Sequence, residues 1–155
     1  MREEHLLTLL RDTASAMAPE NVEIVKGLME TAERGDSDTV MEAFDPAVEL
    51  DQTRFPDGGT YRGRDGVSEF YDKWFGAWDE LRIESQGVIE LPDGRVVSLI
   101  RVSGRGKGSG VEVTLEAADV FTLRDGKVIQ MTGYPKRAEA LEAVGLSEQD
   151  GRADS

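Results

Sequence analysis

Residues 111–134 read VEVTLEAADVFTLRDGKVIQMTGY. Apolar and polar positions alternate from Val111 to Leu123, the period of a strand with one buried face. Asp125-Gly126 is a tight hairpin signal, and Lys127–Tyr134 returns as a second strand. One residue breaks the pattern. Alternation places Val111, Val113, Leu115, Ala117, Asp119, Phe121 and Leu123 on one face, and all but Asp119 are apolar. Asp is depleted from strand interiors because its side chain competes for backbone hydrogen bonds and its charge buries badly. Two readings follow. Asp119 is a core acid satisfied by Arg101, a tyrosine or water, or it is a working acid in an apolar pocket. Without a cation nearby, desolvation should raise its pKa; pairing with Arg101 should lower it.

Upstream, Leu81–Leu91 alternates and turns at Pro92-Asp93-Gly94 into Arg95–Arg105. The glycine-rich GRGKGSG, residues 104–110, then leads into Val111. Such short links make an antiparallel meander. The glycine-rich loop joins two strands and lacks a GK[ST] ending, so it does not read as a phosphate site. Arg101 interrupts a mostly apolar strand. It reads as a structural counter-ion or a substrate clamp, on the face of Val97 and Leu99 or at a sheet edge.

Helical periodicity dominates the first half. Pro19-Glu20-Asn21 supplies a helix start, and Val25, Leu28, Met29 and Ala32 share one face. Gly35 suits the helix end. Asp36 or Ser37 caps a short second helix carrying Val40, Ala43 and Phe44, stopped by Pro46. Ala47–Gln52 reads as a short strand, followed by a loop with a turn at Asp57-Gly58-Gly59 and a small strand at Thr60–Arg62. Asp65 then caps a third helix whose apolar stripe is Val67, Phe70, Tyr71, Trp74 and Trp78. Pro135 opens a last helix with Ala138, Leu141 and Val144, ended by Gly145. Residues 1–18 read as an N-terminal extension, 19–146 as the domain, and 147–155 as a disordered polar tail.

Helices first and strands after give an α+β class. The expected architecture is a single cone-shaped domain. Three N-terminal helices pack in a curved antiparallel or mixed sheet, and a short helix ends it.

Composition narrows the function. The 155 residues carry a formal net charge of −13, which opposes binding to nucleic acid or anionic membrane. There is no cysteine, which removes thiolate chemistry and fits the cytoplasm. The one histidine, His5, lies in the extension, so neither a histidine triad nor a histidine-rich metal site is expected. No run reaches the roughly 18 apolar residues of a membrane helix. The start, MREEHLLTLL, lacks the features of a signal peptide.

Three stretches, ERGDSDTVMEAFDPAVELD, GGTYRGRDGVSEFYDKW and ADVFTLRDGKVIQMTGYPKRAEALEAVGL, resemble the SnoaL-like branch of the nuclear transport factor two-like superfamily. The resemblance covers about residues 21–146 and implies the ketosteroid isomerase and polyketide cyclase type of fold. That superfamily also holds epoxide hydrolases and noncatalytic binders, so fold alone is a weak functional warrant. By this resemblance Asp119 falls where ketosteroid isomerases keep a protonated Asp as oxyanion donor. Asp51 falls near their general-base Asp. Leu28 stands in place of their oxyanion-hole Tyr, and the histidine of SnoaL-type cyclases has no counterpart. Asp51, Arg101 and Asp119 could imitate the Asp-Arg-Asp set of the epoxide hydrolases. The resemblance further implies a homodimer through the outer sheet face, where Thr114, Ala118, Val120 and Thr122 form a low-charge row.

Three functions remain open at this stage. One is an isomerase, cyclase or hydrolase using Asp119 and Asp51 on an apolar carbonyl compound, with no metal or organic cofactor. Another is a noncatalytic binder of an apolar small molecule. The last is a homodimeric interaction module with a vestigial pocket. The expected cavity is lined by Leu28, Phe44, Phe55, Tyr71, Trp74, Trp78, Leu99 and Phe121, with Asp119 as its polar group and Arg101 as a further ligand contact. A cavity shared by Asp51 and Asp119 would favour the enzyme.

Overall fold

Short turns between long strands force neighbours in sequence to pair in space, and the sheet follows that rule with one exception. The computed structural model describes residues 20–56 and 58–146. The extension, the C-terminal tail and Asp57 of the expected turn lie outside the described residues. A helix (α1) runs through residues 20–33. It is followed by α2 (Ser37–Met41), β1 (Phe44–Asp51), β2 (Thr60–Arg62), α3 (Gly63–Gly76), β3 (Trp78–Glu90), β4 (Val96–Gly106), β5 (Glu112–Arg124), β6 (Lys127–Tyr134) and α4 (Arg137–Ala143). The six strands form one sheet in the order β2-β1-β6-β5-β4-β3. The β1–β6 pairing is parallel and the other four are antiparallel, so the sheet is mixed.

Caps and breaks sit where their chemistry predicts. Gly35 takes φ +73° after α1. Asp36 caps α2, its carboxylate accepting from the Thr39 amide at 3.2 Å and the Thr39 hydroxyl at 2.7 Å. Several boundaries differ from expectation, among them the start of α4, which is Arg137 rather than Pro135. Phe44 is not on α2; it opens β1, which bulges against β6 between Phe44 and Glu49, where Pro46 has no N–H to donate. Asp65 does not cap α3; the helix begins at Gly63, leaving Asp65 in the first turn, where its charge still suits the helix dipole. Trp78 is not on the α3 stripe, because α3 ends at Gly76 and Trp78 opens β3.

The alternation of β3 changes sense midway. A bulge lies between Ser85 and Gly87, with Gly87 at φ 138°. Before it, Leu81 and Ile83 pack toward the helical core; after it, Val88 does, and Ile89 turns to the opposite face.

The sheet separates two apolar clusters. On the inner face, α1, α2 and α3 pack on Val48, Leu50, Val96, Ile100, Val102, Phe121 and Val128. On the outer face, Ala140 and Leu141 of α4 pack on Val97, Leu99, Ala118, Val120 and Tyr134. Arg137 pins α4 down. Its guanidinium donates to the Gln86 side chain at 2.5 Å, to Ile100 O at 3.2 Å and to Glu116 at 2.8 Å. This corrects the low-charge row expected to mediate dimerisation. Ala118 and Val120 are buried under the chain's own helix, so the row is not a continuous open surface.

Candidate functional site

The inner face does not fill its own volume. Two adjoining spaces lie between the helices and the sheet. The inner chamber, of about 50 Å³, is walled by Met29, Ala32, Tyr71, Ile83, Ile100, Val102, Ala117, Met131 and Asp119. The outer vestibule, of about 360 Å³, is walled by Pro56, Gly58, Tyr61, Lys73, Ala77 and Trp78. Gln52, Phe55, Phe70 and Trp74 border both spaces. The aromatic rings brace one another: Phe55 meets Trp74 edge-on at 5.8 Å, as Trp74 meets Trp78, and Phe70 stacks on Trp74 at 6.2 Å.

Asp119 stands at the inner end with only 7 % of its surface exposed. Strand register explains its neighbours. Ser98 of β4 lies directly across from it on one side and Gly133 of β6 on the other. Directly paired residues share a face, so Ser98 joins Asp119. Ser98 is fully buried and its hydroxyl has no hydrogen-bond partner. Gly133 carries no side chain, and the Gln52 amide occupies the space that a Cβ there would take. Gln52, Gly133, Asp119 and Ser98 thus form a row across β1, β6, β5 and β4. The row is polar on an otherwise apolar floor.

Burial pushes the Asp119 carboxyl up to about 7. Among the described residues no cation offsets it. Arg101 is even-spaced from the wrong residues: it pairs with Glu116 on the outer face, at 2.9 Å, and is largely exposed. The expected contact of Arg101 with a ligand or with Asp119 is therefore corrected. Tyr71, buried in the chamber wall, is also raised, by desolvation first and by the charge of Asp119 second.

Other expected site residues separate into two groups. Phe55, Tyr71 and Trp74 line the chamber, and Trp78 lines the vestibule. Leu28, Phe44 and Phe121 are buried in the inner core and do not border either space. Leu99 packs under α4 on the far face of the sheet, because it is offset by one residue from Ser98 and Ile100. Asp51 faces away from the cavity. Its carboxylate accepts from the Thr53 hydroxyl at 2.6 Å and the Thr53 amide at 3.0 Å, and pairs with Arg54 at 3.2 Å. The Thr53 hydroxyl bond is the largest of the effects that hold its pKa below the ordinary value. Asp51 and Asp119 thus do not share a cavity.

Gln52 is the site residue that sequence reading passed over, although the signal was present. Val48, Leu50 and Gln52 alternate onto the face that Asp51 does not share, and a one-residue step moves a side chain to the other face. Gln52 is 3 % exposed, and its Nε2 has no partner. Among the described residues no group of three His, Cys, Asp or Glu is placed to hold a metal ion. No helix there is long and apolar enough to cross a membrane.

An apolar-walled chamber bordered by an acid that burial pushes up to about 7 can move a proton to or from an apolar ligand. Solved structures share the architecture. Bal32a, from a soil-derived mobile gene cassette, superposes with a TM-score of 0.70 at 22% identity, over 76% of this chain and 90% of its own. TerC, co-crystallised with polyporic acid, superposes with a TM-score of 0.65 at 23% identity, over 81% of this chain and 97% of its own. A candidate SnoaL-like polyketide cyclase from Jannaschia sp. CCS1 gives a TM-score of 0.65 at 25% identity, over 81% of this chain and 91% of its own. No curated protein matches the chain. A sequence profile of the SnoaL-like domain matches residues 25–131, and the chain belongs to that family.

Proposed function

We propose that this protein is an isomerase- or cyclase-type enzyme that accepts an apolar carbonyl compound and moves a proton with Asp119. The observation that carries the reading is a carboxyl at the end of an apolar chamber, without a cation, with a pKa raised to about 7. A general base works best when its pKa lies near the working pH. Ionised Asp119 takes a proton from the carbon beside the carbonyl. The C–H electron pair becomes a new C=C bond, and the carbonyl π pair moves onto the oxygen to give an enolate. Asp119 then returns the proton to the same carbon or to a conjugated one. The balance needs no oxidant or second reactant. An aromatic-walled vestibule suits a flat apolar body, and TerC, of the same fold, was crystallised with polyporic acid.

A second reading, noncatalytic binding, is favoured by the position of Asp51. With Asp51 outside the cavity, the paired-acid arrangement of the enzyme reading is absent, and Asp119 must both take and return the proton. Exchange of the methyl deuterons of a deuterated 2-acetylnaphthalene into water, followed by mass spectrometry, separates the two. The wild type should accelerate exchange, with the rate rising through pH 7 as Asp119 ionises. Asp119→Asn should abolish it. Binding of the ketone without accelerated exchange would establish the noncatalytic reading.

A further inference from the structure

Gln52 carries a conflict that the fold alone does not resolve. Its backbone is fully used: its N–H donates to Gly59 O at 2.9 Å, and its carbonyl accepts from Phe55 N–H at 3.2 Å. Its side chain is buried, yet Nε2 donates to nothing. A buried donor left without an acceptor costs about 1–3 kcal/mol relative to a satisfied one. An apolar residue of equal length would avoid that cost. The chain instead leaves β6 bare at Gly133, where an added Cβ would meet Oε1 first and lie 2.8 Å from Nε2 and 2.9 Å from Cδ. The amide therefore rests directly on the strand at Gly133, the register partner of Asp119, where Gln52 borders both spaces.

We infer that Gln52 is the group that recognises the ligand's carbonyl oxygen, with Nε2 donating to it from the Gly133 seat while Asp119 faces the adjacent carbon. This assigns the ligand class as a ketone or related carbonyl borne on a flat apolar body. The inner chamber, of about 50 Å³, takes only the small carbonyl end, and the vestibule takes the rest. A fixed donor in a dry site stabilises charge that develops on the oxygen, with little reorganisation. The roles are thereby divided: Gln52 holds the oxygen and Asp119 the proton. The inference rests on the proton-transfer reading for its chemistry, though the recognition itself is independent of it.

The test compares 2-acetylnaphthalene with 2-isopropenylnaphthalene, which keeps the shape and loses the oxygen. Affinities are read by quenching of Trp fluorescence or by calorimetry. The wild type should prefer the ketone by about tenfold, the size of one well-placed neutral hydrogen bond. Gln52→Met keeps the length and removes the amide, and should reduce the preference to near unity while leaving the hydrocarbon's affinity unchanged. Gly133→Ala should do the same by unseating the amide. Asp119→Asn should retain the preference. A wild type that binds both probes equally, or neither, overturns the inference, as does a preference that survives Gln52→Met in a folded protein. If the preference is as expected but deuterium exchange is not accelerated, the proton-transfer reading fails and the recognition by Gln52 stands.

Discussion

Asp119 was legible from alternation alone, because a lone acid on an apolar strand face is improbable without a reason. Its charge state was not, since that depended on where Arg101 pointed. The register sets Arg101 opposite Glu116 and Asp119 opposite Ser98, and burial pushes the Asp119 pKa up. The sign of the stability effect follows. Below about 3.8, both folded and unfolded states hold the proton and the group is neutral to stability. Between 3.8 and about 7 the unfolded chain releases its proton while the folded chain keeps it, so stability falls as pH rises. Above 7 the loss is complete, on the order of 4 kcal/mol. Asp119→Asn removes that loss and adds a buried amide costing about 1–3 kcal/mol. The variant should therefore melt several degrees above wild type at pH 8, and lose that advantage near pH 4. Melting curves at both pH values check this. A variant that melts below wild type at pH 8 would show that the ionised acid is satisfied in the fold. Asp51 and Gln52 are one position apart on an extended segment, and it is Gln52 that borders the cavity.

Elements were read more securely than their edges. Strand β6 was found at its full length, because a hairpin turn fixes its start and Pro135 its end. Helix α3 was overextended to Trp78, because a helical spacing of apolar residues continues into a strand that also needs an apolar residue there. The bulge at Gln86 was invisible, and it decides which way the rest of β3 faces. It also brings Gln86 to Arg137, linking the bulge to α4. Arg137→Ala removes three acceptor contacts, while the buried Nε it also removes has no partner. Its cost should be modest, about 1–2 kcal/mol. Leu141→Ala, at a fully buried position on the same helix, should cost about 2–4 kcal/mol. Urea titrations of both variants test the ranking. An equal or reversed ranking would mean that α4 is held by its polar clasp rather than by its apolar face.

At the scale of the whole molecule, the sheet works as a partition. One face carries the helices and the cavity, and the other carries α4. Sequence pattern supplied the α+β class because helical and strand periods are segregated along the chain. It did not reveal which strand face met α4, since β4 and β5 carry apolar residues on both faces, Val96 and Ile100 on one and Val97 and Leu99 on the other in β4, Ala117 and Phe121 against Ala118 and Val120 in β5. The remaining whole-molecule property is charge. With 31 acidic and 18 basic residues, the net charge of −13 opposes the approach of anions to the molecule. Lys73, in the vestibule wall, is the nearby counterweight, but it is exposed and lies 5.9 Å from the centre of the Tyr61 ring, where water screens it. The global field should win at low ionic strength. For a neutral ketone such as 2-acetylnaphthalene, affinity should be nearly unchanged between 20 and 300 mM salt, with those concentrations chosen to span roughly twofold above and below a 10 Å Debye length. For 2-naphthoate, of similar shape but anionic, affinity should be weaker at low salt and improve severalfold as salt screens the repulsion. Calorimetric titrations across that range measure both. Naphthoate binding that weakens with added salt would show that Lys73 governs the mouth, and that the cavity is built to draw in acids.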